Sequence, residues 1–155
     1  MPTLYVLVGV PGSGKSTWIA KQPFDWNNTV IASTDNYVEK VAKQQGKTYN
    51  DVFKDAMPAA IGDMMRTVKD AVKNNYNIVW DQTSTSVAAR KKKLVAVPDT
   101  YRKVAVVFST PEKKEHERRL GNRPGKVIPA DVLHQMQSTM TIPTKAEGFD
   151  DIVFV

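Results

Sequence analysis

The sequence predicts an α/β fold, a three-layer sandwich in which helices cover both faces of a parallel sheet of about five strands. Short apolar runs rich in Val and Ile recur along the 155 residues and alternate with segments of helical periodicity. A glycine-rich turn also stands between the first apolar run and the first helical segment. No internal repeat or low-complexity tract interrupts the alternation, so we expect residues 1–155 to form a single domain.

The predicted strands are residues 4–8, 29–33, 77–81, 104–108 and 152–155. Each is an apolar run of strand length that is bounded by polar or turn-forming residues. From residue 50 onward apolar residues recur at helical spacing, and we expect Pro58 to start or kink this helix. The expected buried face, with Met as core filler, is Phe53, Met57, Ile61, Met64, Met65, Val68 and Val72.

Two further helices are predicted after the fourth strand. Residues 110–112, Thr-Pro-Glu, have the composition of a helix start, with a capping hydroxyl, a proline and an acidic residue. Pro129 is expected to open the last helix, with Val132, Leu133, Met136 and Met140 on one face. Residues 115–128 lie between these starts, are basic and are broken by Gly and Pro, so we expect a mobile basic lid there.

The glycine-rich turn has the complete phosphate-binding-loop pattern of Gly, four residues, Gly-Lys and then Ser or Thr. Its backbone N–H groups and the following helix N-terminus favour phosphate oxygens, Lys15 can reach the β- and γ-phosphates, and the Ser16 hydroxyl can bind Mg²⁺. The sequence therefore predicts a P-loop kinase-like fold that uses ATP and Mg²⁺. The predicted ATP contacts in this loop are Gly9, Pro11, Gly12, Ser13, Gly14, Lys15, Ser16 and Thr17.

Two aspartates follow predicted strands at the sheet edge where the loop also lies. Asp35, after the second strand, is a candidate general base for an acceptor hydroxyl, or alternatively a helix N-cap. Asp81, at the end of the third strand, either holds Mg²⁺ through water or contacts the acceptor, or is also a cap. One of Arg119, Arg123 and Lys126 can neutralise the transferring phosphate; otherwise this segment is a solvated basic loop.

The chain resembles the polynucleotide 5′-hydroxyl kinase domain of the end-healing kinase/phosphatase family. Residues 9–18 are similar to that family's phosphate loop, including its Pro and the aromatic residue after Ser-Thr. Residues 81–84, with Arg90 further on, resemble its Asp-Asn-Thr-Asn stretch. Arg123 with residues 128–129 resembles its lid arginine and the next helix, and residues 143–149 resemble the segment before its last strand.

This resemblance implies that Asp35 activates the 5′-hydroxyl of DNA or RNA and that Arg123 is the lid arginine. We expect Arg119, on the same basic segment, to bind ATP together with Arg123. The resemblance also implies an acceptor site formed by Asp35, Asp81, Thr83 and Arg90. The family often has Asn-Arg where this chain has Ser33-Thr34, and one branch has an acceptor-binding arginine where this chain has Val38. No Asp-X-Asp-X-Thr motif is present, so we expect no phosphatase domain.

Composition supports the polymer acceptor. The formal net charge of +6 suits a protein that handles polyanions. The absence of cysteine and of long apolar stretches, with a first strand that begins at once, leads us to expect a cytoplasmic protein without membrane contact.

We expect His116 and His134 on helix surfaces. The alternatives are a P-loop kinase with a small acceptor, such as a nucleoside, sugar or nucleotide-sugar, and a non-kinase nucleotide-binding module.

Overall fold

The computed structural model describes residues 1–155. Its sheet has five parallel strands in the order β2-β3-β1-β4-β5. The strands are β1 (Thr3–Val8), β2 (Thr29–Ala32), β3 (Asn77–Trp80), β4 (Arg102–Val107) and β5 (Asp151–Phe154). The helices are α1 (Lys15–Lys21), α2 (Asp35–Gln45), α3 (Tyr49–Lys73), α4 (Val87–Ala96), α5 (Lys113–Gly121) and α6 (Ala130–Thr139), with a 3₁₀ turn at Lys145–Glu147. The predicted fold class is confirmed.

Strand β1 lies at the centre of the sheet and alternates between its two faces. Leu4, Val6 and Val8 pack with residues of α3 and α4, such as Met64 and Leu94. Leu7 points to the opposite face and packs in a cluster that includes Ile19 of α1 and Phe108. Because parallel strands are covered on both faces, their sequences are nearly continuous apolar runs. This burial fixes β1 and therefore the loop that follows it.

Helix α3 begins one residue earlier than predicted and has a different buried face. Thr48 is its N-cap in a reciprocal capping box with Asp51, whose backbone N–H donates to the Thr48 hydroxyl. Pro58 lies inside the helix and neither starts nor ends it. The buried face is Val52, Ala56, Ala60, Met64, Val68 and Ala71. Of the predicted face, Phe53, Ile61 and Met65 are exposed instead, because small alanines let α2 and the sheet approach the other side.

The two helices after β4 also differ from the prediction. Helix α5 begins at Lys113 with Glu112 as N-cap, so the Thr-Pro-Glu stretch precedes it without a side-chain cap. Helix α6 begins after Pro129 as predicted, but none of its residues is buried. Its apolar positions are half-buried or exposed, because the helix lies on the surface beside the cleft described below.

The carboxyl ends of β1, β2 and β3 lie at one edge of the sheet, as the parallel register requires. The glycine-rich loop follows β1 there, α2 starts after β2, and the turn of residues 82–86 follows β3. Open α/β sheets bind ligands at this edge. No helix is both long enough and apolar enough to cross a bilayer.

Candidate active site

A cleft of about 1,610 Å³ opens at this edge of the sheet. It is bounded by the phosphate loop, the starts of α2 and α3, the turn after β3, and residues 118–129. Sites for one small ligand usually measure about 300–1,000 Å³, so this cleft is larger than one such ligand requires. Eight of its lining residues are Lys or Arg and four are Asp or Glu, which makes it a positively charged cleft.

The phosphate loop has the geometry that its sequence predicts. Gly12 and Gly14 have φ angles of 77° and 103°, in the region that favours glycine and that phosphate-binding loops use. Lys15 is the first residue of α1, and its Nζ donates to the carbonyls of Gly9 and Val10 at 2.9 Å each. Burial lowers the pKa of Lys15 to about 8, although the carboxylates of Asp81 and Asp35 oppose the shift. The buried Ser13 hydroxyl has no hydrogen-bond partner.

The predicted ATP contacts in this loop line the cleft, apart from Gly9. Gly9 lies one layer deeper, where its backbone N–H donates to the carbonyl of Thr83 at 2.9 Å. A Cβ at this position would lie 2.6 Å from Ser13 Oγ, so glycine is required for the loop to close. Thr83 itself lines the cleft, and this bond ties the turn after β3 to the phosphate loop.

Asp35 is the first residue of α2 and is not its cap. The N-cap is Thr34, and the Asp35 carboxylate instead accepts hydrogen bonds from Tyr49 Oη at 2.6 Å and Lys126 Nζ at 3.1 Å. Burial alone would raise the pKa of Asp35, but these two bonds and the nearby positive charges outweigh it and lower the pKa. Asp35 is therefore an ionised acceptor of protons and hydrogen bonds that lines the cleft.

Asp81 also lines the cleft and caps no helix, since Ser86 is the N-cap of α4. Burial raises the pKa of Asp81, and the nearby Lys15 ammonium opposes this shift. Mg²⁺ at such sites is held by oxygen ligands, often one or two carboxylates together with substrate phosphates. The Asp81 carboxylate and the Ser16 hydroxyl are both in the cleft lining, and this donor set fits Mg²⁺.

The basic residues of the 115–128 segment have different partners. Arg119 donates to the carbonyl of Gly12 at 3.1 Å and to Glu115, so it lies against the phosphate loop. Arg123 lines the cleft, and its Nη1 is buried without a hydrogen-bond partner. Lys126 bonds to Asp35 and, at 2.9 Å, to Glu39. Both predicted arginines thus lie in the cleft, and Arg123 carries a free donor.

Arg90 does not lie in the cleft, which corrects its predicted place in the acceptor site. Its side chain is fully buried and is paired with Glu147 at 2.8 Å, and it also donates to the carbonyls of Ser84 and Thr141. With these donors engaged, it has none facing a ligand. Because Ser84 has a positive φ of 47°, this bond holds an unusual turn in place next to Thr83.

His116 is buried, which corrects its predicted place on a helix surface. Its Nε2 lies 2.6 Å from the carbonyl of Pro11, so Nε2 carries the proton, and Nδ1 is 3.4 Å from the amide nitrogen of Gln137 on α6. His116 therefore connects the phosphate loop to α5 and α6. The spacing of His116 and Leu120, which both lie near Gly12, is the sequence signal that marks this face of α5.

Tyr49 is another cleft residue that the sequence did not reveal, since it lies 14 positions from its partner Asp35 and nothing local marks it. Val38 is buried in the cluster between α2 and α3. The Val38 side chain does not line the cleft, so it makes no contact there of the kind that the arginine of the resembling branch would make.

Comparison with known proteins identifies the family. A family model described as an AAA domain matches residues 4–143. Heterogeneous nuclear ribonucleoprotein U-like protein 2 of Mus musculus is 24% identical over 157 residues, which cover 96% of this chain and 21% of that protein. This chain thus spans about a fifth of the length of that curated relative.

Solved structures show the fold. A chain of the Pnkp1/Rnl/Hen1 RNA repair complex matches with a TM-score of 0.65 and 24% identity over 89% of this chain and 45% of that one. A fungal RNA kinase matches with a TM-score of 0.57 and 11% identity, covering 99% and 74%. A gluconokinase from Sinorhizobium meliloti matches with a TM-score of 0.51 and 18% identity, covering 99% and 82%. The chain therefore belongs to the AAA domain family and has the P-loop kinase fold that polynucleotide kinases share.

Proposed function

We propose that this protein is an ATP- and Mg²⁺-dependent kinase that phosphorylates the 5′-hydroxyl end of DNA or RNA. The observation that carries the proposal is the pair of unpartnered buried donors in the cleft lining, Ser13 Oγ and Arg123 Nη1, in the same cleft as the ionised Asp35. Buried hydrogen-bond donors usually have acceptors. Two unpaired donors in the cleft that contains the phosphate loop therefore suggest that phosphate oxygens of a ligand accept their hydrogen bonds. Asp35 is the proposed general base for the hydroxyl group that accepts the phosphate.

The donor half of the reaction uses the phosphate loop and the 115–128 segment, which we propose is a lid. Lys15 and Arg123 neutralise the charge that develops on the transferring phosphate, and Arg119 supports the loop through Gly12. Ser16 and Asp81 would hold Mg²⁺, which would share the charge of the triphosphate.

The acceptor half uses Asp35 as general base. The acceptor oxygen forms a bond to the γ-phosphorus while the bond from that phosphorus to the leaving ADP oxygen breaks, and the hydroxyl proton passes to the Asp35 carboxylate. A carboxylate kept ionised by its neighbours is ready to accept this proton. Asp81 and Thr83 line the same cleft and are proposed to contact the acceptor.

A polymer acceptor is favoured by charge. The cleft has twice as many basic as acidic lining residues, and Lys43 and Lys47 form no ion pair with an acidic side chain. With Mg²⁺ sharing the charge of ATP, this surplus is available for acceptor phosphates. The RNA repair complex and RNA kinase among the structural relatives support the same class of acceptor.

The proposal is tested by incubating the protein with γ-labelled ATP, Mg²⁺ and a panel of acceptors: 5′-hydroxyl DNA and RNA oligonucleotides, nucleosides, and sugars. We expect label on the oligonucleotide 5′ ends, and none on oligonucleotides that already carry a 5′-phosphate. Label on gluconate or a nucleoside at equal efficiency would favour a small-acceptor kinase, the class to which the gluconokinase belongs. Hydrolysis of ATP without transfer would favour a nucleotide-binding module.

The role of Arg123 is tested in the same assay. Arg123→Ala removes a positive charge from the cleft, and losing such a contact usually costs on the order of 3 kcal/mol, or about a hundredfold in rate. We expect kcat to fall by about that factor while Arg66→Ala, which removes an exposed arginine on α3, keeps wild-type turnover. Near wild-type turnover of Arg123→Ala at saturating ATP would remove Arg123 from the mechanism.

A further inference from the structure

Residues 125–127 of the 115–128 segment are fixed to the start of α3 by three hydrogen bonds. The Asn50 backbone N–H donates to the carbonyl of Gly125 at 2.9 Å. The Asn50 side chain then clamps Val127, donating to its carbonyl at 2.8 Å and accepting from its N–H at 2.9 Å. Gly125 has a φ of 66°, and a Cβ there would lie 2.5 Å from Thr48 Cβ, so only glycine permits this approach.

This attachment places Lys126 over the acceptor end of the cleft. Its Nζ donates to Asp35 at 3.1 Å and Glu39 at 2.9 Å, two carboxylates one turn apart on α2, and lies 4.5 Å from the ring centroid of Tyr49. Tyr49, the first residue of α3, donates to the other oxygen of Asp35 at 2.6 Å. Each oxygen of the Asp35 carboxylate therefore accepts one charge-assisted bond, which fixes the rotation of the group.

We propose that Tyr49 and Lys126 are positioning residues that orient the Asp35 carboxylate toward the acceptor hydroxyl, and that Asn50 supports them by fixing residues 125–127 to α3. A carboxylate has about four lone-pair sites, so two remain for the acceptor after these bonds are made. Side chains that hold a catalytic group in one orientation raise the fraction of productive encounters. This inference rests on the proposed function for its catalytic meaning, but its structural content concerns this chain's own residues.

Several charged and titratable groups surround Asp35 and set its protonation. They come from α1, α2, α3, the turn after β3 and the 115–128 segment: Lys15, Glu39, Tyr49, Asp81, Arg123 and Lys126. Tyr49 and Lys126 bond to the carboxylate directly, and both lower the pKa of Asp35. Removing either one should therefore raise that pKa, whatever the acceptor is.

The first test is a titration that needs no activity. The ¹³C carboxyl resonance of Asp35, assigned with Asp35→Asn, is followed by NMR against pH in the wild type, Tyr49→Phe, Lys126→Met and Asn50→Ala. We expect the midpoint to rise in all three variants and to stay unchanged in the matched controls Tyr5→Phe, Lys69→Met and Asn74→Ala, none of which bonds to Asp35 or is among the groups that shift its pKa. An Asp35 midpoint that stays at the wild-type value in Tyr49→Phe and Lys126→Met would overturn the inference.

The second test is kinetic. Loss of one bond to a charged group changes a rate by about tenfold, so we expect kcat to fall about tenfold in Tyr49→Phe and in Lys126→Met, with KM for ATP unchanged. The acid limb of the kcat profile should move to higher pH. Because Asn50 acts through Lys126, the double variant Asn50→Ala/Lys126→Met should be no slower than the slower single variant. Fully additive losses would show that Asn50 acts independently.

Failure of the proposed function and failure of this inference have different signatures. If wild-type protein transfers phosphate to no hydroxyl acceptor, the proposed function fails, and the NMR titration still decides whether Tyr49 and Lys126 control the Asp35 carboxylate. If the wild type is an active kinase but all three variants keep its kcat and pH profile, the proposed function stands and the positioning roles are overturned.

Discussion

Lys15 is the residue of the phosphate loop whose charge is expected to change with pH in a measurable range. Its pKa is lowered to about 8, first by burial, so the free protein loses this ammonium as pH rises past that value, well below the usual 10.5. We predict that kcat/KM for ATP, which reports the free enzyme, falls about tenfold per pH unit above about pH 8. Burial also lowers the pKa of Lys93 to about 8, so Lys93→Met is the matched control and should keep this limb. If Lys93→Met abolished the fall of kcat/KM above pH 8, that fall would reflect Lys93, and its assignment to Lys15 would be wrong.

Asp35 permits a residue-scale test of general-base catalysis, because the structure removes the capping alternative. Asn caps helices about as well as Asp, but here Thr34 holds the cap position. Asn keeps the shape and accepts a hydrogen bond from Tyr49, yet cannot take a proton. We predict that Asp35→Asn binds ATP normally and transfers phosphate at least ~100-fold more slowly. A rate within a few-fold of wild type would move the search for the base to Asp81.

At the scale of elements, one buried ion pair joins α4 to the chain before β5. The Arg90 side chain is fully buried and that of Glu147 is 12% exposed, whereas Arg102 and Asp151 pair with about half of each side chain exposed. Breaking a buried pair leaves an uncompensated charge, while exposed pairs contribute little. We predict that Arg90→Met lowers the free energy of unfolding by about 3 kcal/mol and Arg102→Met by less than about 1 kcal/mol, measured by urea denaturation at pH 7.

The destabilisation caused by Arg90→Met should depend on pH, because it depends on the ionisation of Glu147. Burial alone would raise the pKa of Glu147, but the bond from Arg90 helps to lower it below the usual 4.5. A carboxyl with a lowered folded pKa contributes stability that is present above its unfolded pKa and is lost as pH falls through the folded value. The destabilisation of Arg90→Met should therefore shrink below about pH 4.5. A difference that stays constant down to pH 2 would mean that packing, not charge, explains the loss.

At the scale of the whole molecule, the positive cleft predicts a salt-dependent affinity for polymers. Each phosphate contact on a single strand contributes a slope of about −0.7 to the plot of log affinity against log salt. We predict that KM for a 5′-hydroxyl oligonucleotide rises steeply with salt, and that Lys43→Glu with Lys47→Glu makes the slope shallower by about 1.4. The same exchange at Lys91 and Lys92 on α4, outside the cleft, should leave the slope unchanged. Equal slopes in both double variants would contradict the prediction that Lys43 and Lys47 contact phosphates of the oligonucleotide.

Local patterns were sufficient to predict the fold and the position of the phosphate loop at the edge of the sheet. The strand runs and the loop of residues 9–16 are continuous in sequence, so each can be recognised without knowing its distant contacts. The sheet order then brings Asp35 and Asp81 to the same cleft, as a parallel sheet requires.

The remaining features depend on contacts between distant parts of the chain, and local patterns do not carry them. Arg90 was predicted at the acceptor, but its partner Glu147 lies 57 residues away. The predicted buried face of α3 was wrong. Alanines, which are only weakly hydrophobic, are buried where Phe53 and Ile61 were expected. His116 was predicted on the surface because nothing near it in sequence shows that Pro11 lies against it.

The central position of β1 has a consequence for how the molecule opens. Its backbone pairs on both sides, with β3 and with β4, so we expect its amide protons to exchange with deuterium only in the rare events that unfold the whole sheet. Helix α6 buries no residue and belongs to the opposite end of this stability range. The cleft is therefore lined on one side by the phosphate loop, next to the strand whose amides should exchange most slowly. On another side it is lined by α6, whose amides should exchange among the fastest. If the proposed function holds, we expect substrates to enter and leave by local opening of the α6 wall while the sheet side of the cleft keeps its native structure.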